Sequence, residues 1–566
     1  MPVQPLLRLL WPFYRRYAVL GLLGVLAVAS VNLLAVLPGW VTGQVLDHLA
    51  KIHHATSAWQ ALLPILGYLG GLTLLMLVRA ALMVAMRLSL VVLSRRVERD
   101  HRAYLLQKLL EWDWLTLHQH PTGELLTYFT EDLNRLRNFT GPAILYGLQT
   151  LFLVLFTAGL MLYTEPQLAL FTLLPLTLIG PLTYLLRQKA LARGHRQQEA
   201  FAFMSAFLQQ VYPFLRPLRA LSDPAALAKE WHKRTQAHRQ ASLSVARVEA
   251  YLHPLTLLFV GLSLTVVLIY GGIRVTEGKT TVGTIGAFSL YVVQLMFPLS
   301  AVGWLISLVQ QARASAERLL ALQAVSPRLH FPAVSSRQPT HNGWTWNALS
   351  FRYDPQGPFV LCGISGEVAP GEKVVFSLPM GSGKTTLARL LSRHLDPTEG
   401  EIFFGGVRLA ALSWADLRQR IGYVPQQPFL LSGSLIENLR LVRPDASIQE
   451  LWQVLEWAGL ADEVAALPKG LKTDIGLWGQ QVSGGQRQRL ALAMTLLKRP
   501  TALLLDDTFA PLDSEKIKEI LTHLRRHFGQ ATWVVFTHRT EVQPFVDRWE
   551  TSFQVGLPRK VGTWCK

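Results

Sequence analysis

Six apolar blocks before residue 310 constrain this chain more than any other feature. They span 17–41, 59–86, 142–164, 167–186, 251–273 and 282–309. A helix needs about 20 residues to cross a ~30 Å hydrocarbon core, and each block reaches that length. The blocks carry almost no charge; Arg79 is the one firm exception. The pattern predicts six membrane-spanning helices. A cleaved signal peptide is the competing reading of the first block, because Arg15-Arg16 precedes it and Ala27-Val28-Ala29 mimics a cleavage site. An h-region, however, is only about 7–15 residues long. The first block is therefore read as a span.

Charge orients the spans. The 566 residues hold 55 Lys+Arg against 37 Asp+Glu, a formal +18 with pI near 10.0. Arg8, Arg15 and Arg16 precede span one. Arg87, Arg95, Arg96, Arg99, Arg102, Lys108, Arg135 and Arg137 lie between spans two and three. Arg187, Lys189, Arg193, Arg196 and a further seven basic residues through Arg247 lie between spans four and five. The alternate loops hold only Lys51, Arg274 and Lys279. Short cytoplasmic loops carry the excess of Lys and Arg. The N-terminus, the two long segments and everything after span six are thus expected in the cytoplasm, with the chain multi-pass in the cell inner (plasma) membrane. The basic balance then reads as contact with anionic lipid, and no nucleic-acid partner is expected.

The two long cytoplasmic segments read as helical extensions of the spans, because Leu105, Leu106, Leu109 and Leu110 recur at helical spacing. Short crossing helices are expected at their tips, around 112–125 and 208–221. Trp112, Trp114, Tyr212 and Phe214 there call for a partner surface. Arg79, inside span two, either lines a substrate path or has a structural pairing role. The aromatics Tyr146, Phe152, Phe156, Phe259, Tyr291, Phe297 and Trp304 could line a cavity, although interhelical packing is their default.

The overall charged fraction, 16%, falls below that of a soluble domain, about 25%. The deficit belongs to residues 1–325. Residues 326–347 turn to Ser, Pro, Arg, Gln and His and read as a linker. From 348 to 566, short β-like runs alternate with helical ones, the pattern of an α/β domain. Two cysteines, Cys362 and Cys565, cannot build a disulfide scaffold or a four-ligand zinc site. His118/His120 and His523/His527 have metal-like spacing, but His523 and His527 flank Arg525 and Arg526 and read as a solvated face.

The strongest motif in the α/β part is Leu378-Pro379-Met380-Gly381-Ser382-Gly383-Lys384-Thr385-Thr386. An apolar strand precedes it and a helix follows. Glycines let backbone N–H groups approach phosphate oxygens at a helix N-terminus. Lys384 would reach the β- and γ-phosphates, and the Thr385 hydroxyl would bind Mg²⁺. The G-x-x-x-x-G-K-[ST] pattern is broken at its first glycine, where Leu378 stands. A left-handed backbone there would cost Leu about 1–2 kcal/mol. Downstream, the strand 502–506 ends in Asp506, placed as a hard-oxygen Mg²⁺ ligand, and Asp507, placed to activate water.

Five further motifs carry a family resemblance. Val482-Ser483-Gly484-Gly485-Gln486 resembles the Leu-Ser-Gly-Gly-Gln signature of ABC transporters. Gln426 resembles the Q-loop glutamine, which also approaches Mg²⁺, and Tyr353 the adenine-stacking aromatic. Ala510-Pro511-Leu512-Asp513 resembles the D-loop, and His538 the switch histidine. Pro121-Thr122-Gly123-Glu124 and Ala316-Glu317-Arg318-Leu319 extend the likeness into the membrane part. The chain is similar to an exporter-type ABC half-transporter: a membrane α-helical six-helix domain plus an α/β P-loop ATP-binding domain. That resemblance implies a dimer of two halves sandwiching two ATP molecules. Val482, Ser483, Gly484, Gly485, Gln486 and Asp513 of one half would face ATP held by the other. It also implies ATP-driven export of a small hydrophobic or amphipathic substrate: a drug, lipid or peptide.

Departures from the family cluster on one side. The family places Glu where Asp507 stands, and Asp is shorter by one C–C bond, about 1.5 Å. A misplacement of about 1 Å can cost about 10²-fold in rate. Thr473-Asp474-Ile475-Gly476-Leu477-Trp478-Gly479 resembles the exporter X-loop without its charged pair. The chain's own ATP site is thus altered while the signature it donates is nearly intact. That asymmetry resembles heterodimeric exporters and leads to the expectation of a second, different half-transporter as partner. A homodimer with slow hydrolysis, or an ATP-gated regulatory or channel-type protein, are the alternatives. The family usually continues through a further helix after Arg548, so the packing of 551–566 is left open.

Overall fold

The computed structural model describes residues 4–51, 58–214, 218 and 224–555. They divide into two compact units. One comprises Met1–Lys108 and Thr122–Val325; the other comprises Leu109–Pro121 and Ser326–Lys566.

The first unit is all helix. Among the described residues six helices are long and apolar enough to cross a membrane: Ala18–Ala50, Leu63–Leu110, Thr122–Thr164, Pro166–Val211, Pro224–Thr276 and Val282–Ala324. One lies over each expected block, and most run well past it on the basic, cytoplasmic side. Three are interrupted; the fifth turns at Ala250 and Tyr251, between the helices Pro224–Glu249 and Leu252–Thr276. The third carries π-helical turns at Tyr128–Asp132 and Phe139–Ala143, and the fourth breaks at Leu178, just after Pro175. A π-turn re-aims side chains within a helix. Here it brings the buried Asp132 carboxylate to Ser315 Oγ at 2.7 Å and to the Arg318 guanidinium, tying span three to span six.

Close contact between spans one and six rests on glycine. A Cβ at Gly43 would stand 2.9 Å from the carbonyl oxygen of Gly283, and one at Gly39 would strike the Tyr291 ring. Small residues admit backbones to such approach. Asp47 closes the seam by accepting the Gly283 N–H at 2.7 Å and the Thr281 hydroxyl at 2.8 Å. On the same, non-cytoplasmic side Arg274 pairs with Glu165 at 2.6 Å. Of the candidate cavity aromatics, Tyr291 is buried against span one, and Tyr146 packs edge-on to Trp304. Arg79 has a shielded Nε with no hydrogen-bond partner among the described residues.

The second unit gathers two five-stranded sheets. The strands are β1 (Trp344–Phe351), β2 (Leu361–Val368), β3 (Lys373–Phe376), β4 (Glu399–Phe404), β5 (Val407–Arg408), β6 (Ile421–Val424), β7 (Ala502–Asp506), β8 (Thr532–Phe536), β9 (Arg548–Glu550) and β10 (Gln554–Val555). The antiparallel sheet has the order β10-β2-β1-β4-β5, and the parallel one β6-β7-β8-β3-β9. Strands β3, β7 and β8 are buried at every position, as unbroken apolar runs in a covered parallel sheet must be. β1 starts at Trp344, so ordered structure begins inside the stretch read as a linker.

A short helix, Trp114–Gln119, belongs to this second unit, at the first expected crossing tip. Asp113 caps it, accepting from Thr116 N at 2.8 Å, and its other oxygen accepts from Arg328 N and Leu329 N. That carboxylate is why 109–121 folds with the α/β unit although the sequence reading grouped it with the spans. Trp114 meets the partner surface its exposure called for: Arg389 lies 4.0 Å over its ring. At the second expected tip, Tyr212–Phe214 form a 3₁₀ turn; 215–217 and 219–221 fall outside the described residues. Residues 556–566 also lie outside them.

Candidate functional site

The carboxyl ends of four adjacent parallel strands deliver the candidate residues to one edge, where open α/β sheets place their ligands. β3 runs into the Gly-rich loop, β6 into Gln426, β7 into Asp506 and Asp507, and β8 into His538. Pairing in register holds these ends level: Phe376 opposes Phe536, and Phe536 opposes Asp506.

In the Gly-rich loop only Gly381 and Gly383 take left-handed backbone, with φ of 78° and 89°. A Cβ on Gly383 would sit 2.6 Å from Leu361 Cδ2. Leu378 is not among the left-handed residues, so the strain envisaged for it is absent. Its side chain is buried in the core with Phe376, Leu387 and Phe536. Pro379 and Met380 are exposed at the loop tip. Lys384 Nζ donates to the Leu378 carbonyl at 2.6 Å and also contacts His538 Nε2. Ser382 Oγ is shielded and has no partner among the described residues, an orphan that a phosphate oxygen would satisfy.

Thr385 Oγ1 donates to Asp506 Oδ1 at 3.2 Å, and Tyr423 OH to Asp506 Oδ2 at 3.4 Å. Asp506 is almost fully buried, and that burial pushes its carboxyl above the ordinary range despite these two donors. Desolvation lowers the Lys384 ammonium while Asp507 and Asp506 pull it back up. Hydroxyl, carboxylate and the Gln426 amide oxygen form a set of hard donors suited to Mg²⁺. Gln426 Nε2 reaches Asp507 Oδ2 at 3.4 Å. Asp507 itself is left-handed, at φ 49°, a conformation Asp tolerates better than most side chains. Tyr353 OH bonds Thr386 Oγ1 at 3.0 Å, placing the aromatic beside the phosphate-loop helix.

Ser483 caps the helix Gly484–Leu496 in a reciprocal box with Gln486, leaving Gly484 with open space around it. Gly485 sits against the Pro511 carbonyl. Among the described residues no hydrogen bond joins 482–486 to the Gly-rich loop. The signature instead shares an open cleft with Gln426, Asp507, Ala510 and Pro511. Asp513 caps the following helix through Lys516 N at 2.8 Å.

Several connecting residues escaped the sequence reading. Gln488 Nε2 donates to the Pro425 carbonyl at 3.0 Å, fastening the signature helix to the Gln426 loop. Arg539 donates to the carbonyls of Ala510 and Leu512, so the residue after His538 holds the D-loop. Arg489 is buried against Glu463 at 2.6 Å. Burial alone would raise the Glu463 carboxyl, but Arg489 and Gln486 bring it below the usual value. Spacing offers no signal for such pairs; only a charged residue on an otherwise apolar helix face hints at them. The X-loop stretch exposes Leu477, where the family has charge. His527 stacks on Trp457 with ring centres 4.8 Å apart, a packing role.

Comparison with known proteins accounts for both units. The family described as ABC transporter transmembrane region matches residues 21–299, and that described as ABC transporter matches 361–510. A multidrug efflux ATP-binding/permease protein of Mycobacterium tuberculosis is 31% identical over 93% of this chain, which spans 43% of that protein's length. A multidrug resistance-like ATP-binding protein of Escherichia coli is 27% identical over 94% of the chain and 89% of its own. An ATP-dependent lipid A-core flippase of Chromobacterium violaceum is 29% identical over 79% and 76%. The solved structure of a bacterial Atm1-family ABC exporter with ATP bound superimposes with a TM-score of 0.76 at 22% identity, covering 94% of this chain and 92% of that one. Six apolar spans, four strand ends carrying the phosphate-loop set, and two matched families covering most of its length place this chain in the ABC transporter family, as a multi-pass membrane protein with its transmembrane region and ATP-binding domain fused in one polypeptide.

Proposed function

We propose that the chain is one half of a dimeric, ATP-driven exporter of a small hydrophobic or amphipathic substrate (drug, lipid or peptide). The convergence of Lys384, Thr385, Asp506, Gln426, Asp507 and His538 at one sheet edge carries the reading. Lys384 and the backbone of 379–385 would hold the β- and γ-phosphates, while Tyr353 would stack on adenine. Thr385, Asp506 and Gln426 would hold Mg²⁺, which supplies charge neutralisation on the phosphate oxygens. Asp507 would polarise the attacking water and His538 would hold the γ-phosphate. Relatives named for multidrug efflux and lipid A-core flipping support the substrate class.

Within that reading, the chain's own site binds ATP and hydrolyses it slowly, because Asp507 is shorter than the family's Glu. Its signature, 482–486, completes the faster site of a different partner. A homodimer is the second reading, favoured by Leu378: its backbone is not left-handed, so the strain expected of that departure is missing. ATP turnover by the purified chain, alone and co-purified with a second half-transporter, tests both. Turnover that rises at least tenfold only in the mixed complex supports the heterodimer. Equal turnover by the chain alone favours the homodimer. No turnover in either, with ATP bound, removes the exporter reading.

A further inference from the structure

A cleft of about 200 Å³ lies within the membrane unit, walled by the cytoplasmic ends of spans four, five and six. Its lining includes Arg187, Gln188, Glu249, Gly303, Ser307 and Gln310. The location is fixed by sequence: Arg187 follows the apolar block 167–186, Glu249 stands two residues before the block 251–273, and Gln310 follows 282–309. The cleft therefore sits at the level of the inner-leaflet headgroups.

Arg187 is the informative residue. It is half-buried, and its stem crosses span six at Gly303, where a Cβ would stand 3.0 Å from Arg187 Cγ. A guanidinium carries five N–H donors, yet none of Arg187's has a hydrogen-bond or ion-pair partner among the described residues. Glu249 on the opposing helix is equally without a partner there. Two opposite charges share one cleft without pairing to each other, and Gln188, Ser307 and Gln310 add neutral donors and acceptors between them. A planar guanidinium matches phosphate oxygens two at a time. A carboxylate at the other wall matches an ammonium.

We infer that this cleft binds a zwitterionic phosphate–ammonium headgroup, with the phosphate on Arg187 and the ammonium on Glu249. The volume of about 200 Å³ suits a headgroup and lies below the roughly 300–1,000 Å³ of drug-sized pockets. Position favours a lipid of the inner leaflet as the source over a soluble phosphoester. The inference goes beyond ATP-driven export and does not depend on which subunit hydrolyses.

Native mass spectrometry of the full chain in detergent provides the test, titrating phosphatidylethanolamine, phosphatidylglycerol and soluble glycerophosphoethanolamine. Phosphatidylethanolamine should bind about tenfold tighter than phosphatidylglycerol, the gain of roughly one charge-assisted contact. Arg187→Gln should weaken both lipids about tenfold, and Glu249→Gln should erase the preference between them. Displacement of the lipid by equal concentrations of glycerophosphoethanolamine would assign a soluble source; its failure to compete assigns the membrane lipid. Unchanged binding in both variants overturns the site. ATP binding by the same preparations reports that each variant is folded, and because the readout is lipid retention, a failure of the export reading leaves it standing.

Discussion

Lys384 Nζ donates to the main-chain oxygen of Leu378 at 2.6 Å, so the first position of the phosphate loop is used through its carbonyl and not through left-handed backbone. The Leu378 side chain meanwhile fills core space beside Phe376 and Leu387. Restoring glycine should therefore do the opposite of repair. Removing a buried Leu side chain costs about 2–5 kcal/mol in the cavity series, and glycine adds backbone freedom to the unfolded chain. Leu378→Gly should lower the melting temperature clearly while leaving ATP affinity within about threefold, about 0.7 kcal/mol. A thermal melt and a nucleotide titration on the same sample check both. An affinity gain of tenfold or more would show that the leucine obstructs the phosphates.

Asp507 presents a sharper trade. Its carboxylate accepts from Gln426 at 3.4 Å, and its backbone is left-handed. Asp507→Glu lengthens the reach by about 1.5 Å and should raise turnover at this site by about 10–10². The same change places a longer side chain on left-handed backbone, at a cost of up to about 1 kcal/mol. Faster hydrolysis with a slightly lower melting temperature is the expected pair of outcomes. Asp507→Asn separates the two effects: it suits the backbone but cannot polarise water, so hydrolysis should fall while stability holds.

Asp506 gives a pH dependence whose sign follows from burial. Its carboxyl is raised in the folded domain, so the ionised form is disfavoured by folding. The penalty is absent below the unfolded Asp value and complete above the raised folded value. Without nucleotide or Mg²⁺, Asp506→Asn should thus be more stable at pH 7, by about 2–4 °C if the relief is about 1 kcal/mol in a domain of 150–250 residues. The gap should close as pH falls through the folded value toward the ordinary Asp range. Mg²⁺-dependent hydrolysis should be lost at every pH. A melt series from pH 4 to pH 8 on both proteins decides it; a gap that widens in acid reverses the assignment of cause.

Most of the architecture was legible because its signals are periodic or spatially compact. Unbroken apolar blocks predict spans, and lopsided Arg and Lys predict which ends lie inside. The strand ends before Gly381 and at Asp506 could be read because each motif sits within a few residues. Interruptions in spans three and four were not legible: at the Tyr128–Asp132 π-turn, Asp132 meets Arg318, a contact 186 residues apart in sequence. Leu378 misled for a related reason. The motif pattern records which residue type is usual, whereas the conformation shows that this backbone never required glycine. Arg539 on the D-loop carbonyls and Gln488 on Pro425 were invisible because each acts through a main-chain atom of a distant loop, which no side-chain pattern marks.

Trp114, on the short helix Trp114–Gln119, reaches the nucleotide site through a cation–π contact that substitution can remove. Arg389 lies 4.0 Å over its ring, and Arg389 Nη1 stands 3.5 Å from Tyr353 OH, the hydroxyl that also bonds Thr386. His118 stacks on the same indole with ring centres 3.9 Å apart. A cation–π contact of this kind is worth about 0.5–2 kcal/mol depending on desolvation. Losing it frees Arg389 and, with it, the tyrosine that would face adenine. Trp114→Ala should therefore raise the KM for ATP by about 2–10-fold, the equivalent of about 0.5–1.4 kcal/mol, with kcat little changed. Trp114→Phe keeps an aromatic face and should recover most of the loss. Arg389→Met should reproduce the alanine effect in the wild type and add little to Trp114→Ala, since both remove one contact. A kcat that falls with KM unmoved would instead place Trp114 in the conformational step after ATP binds.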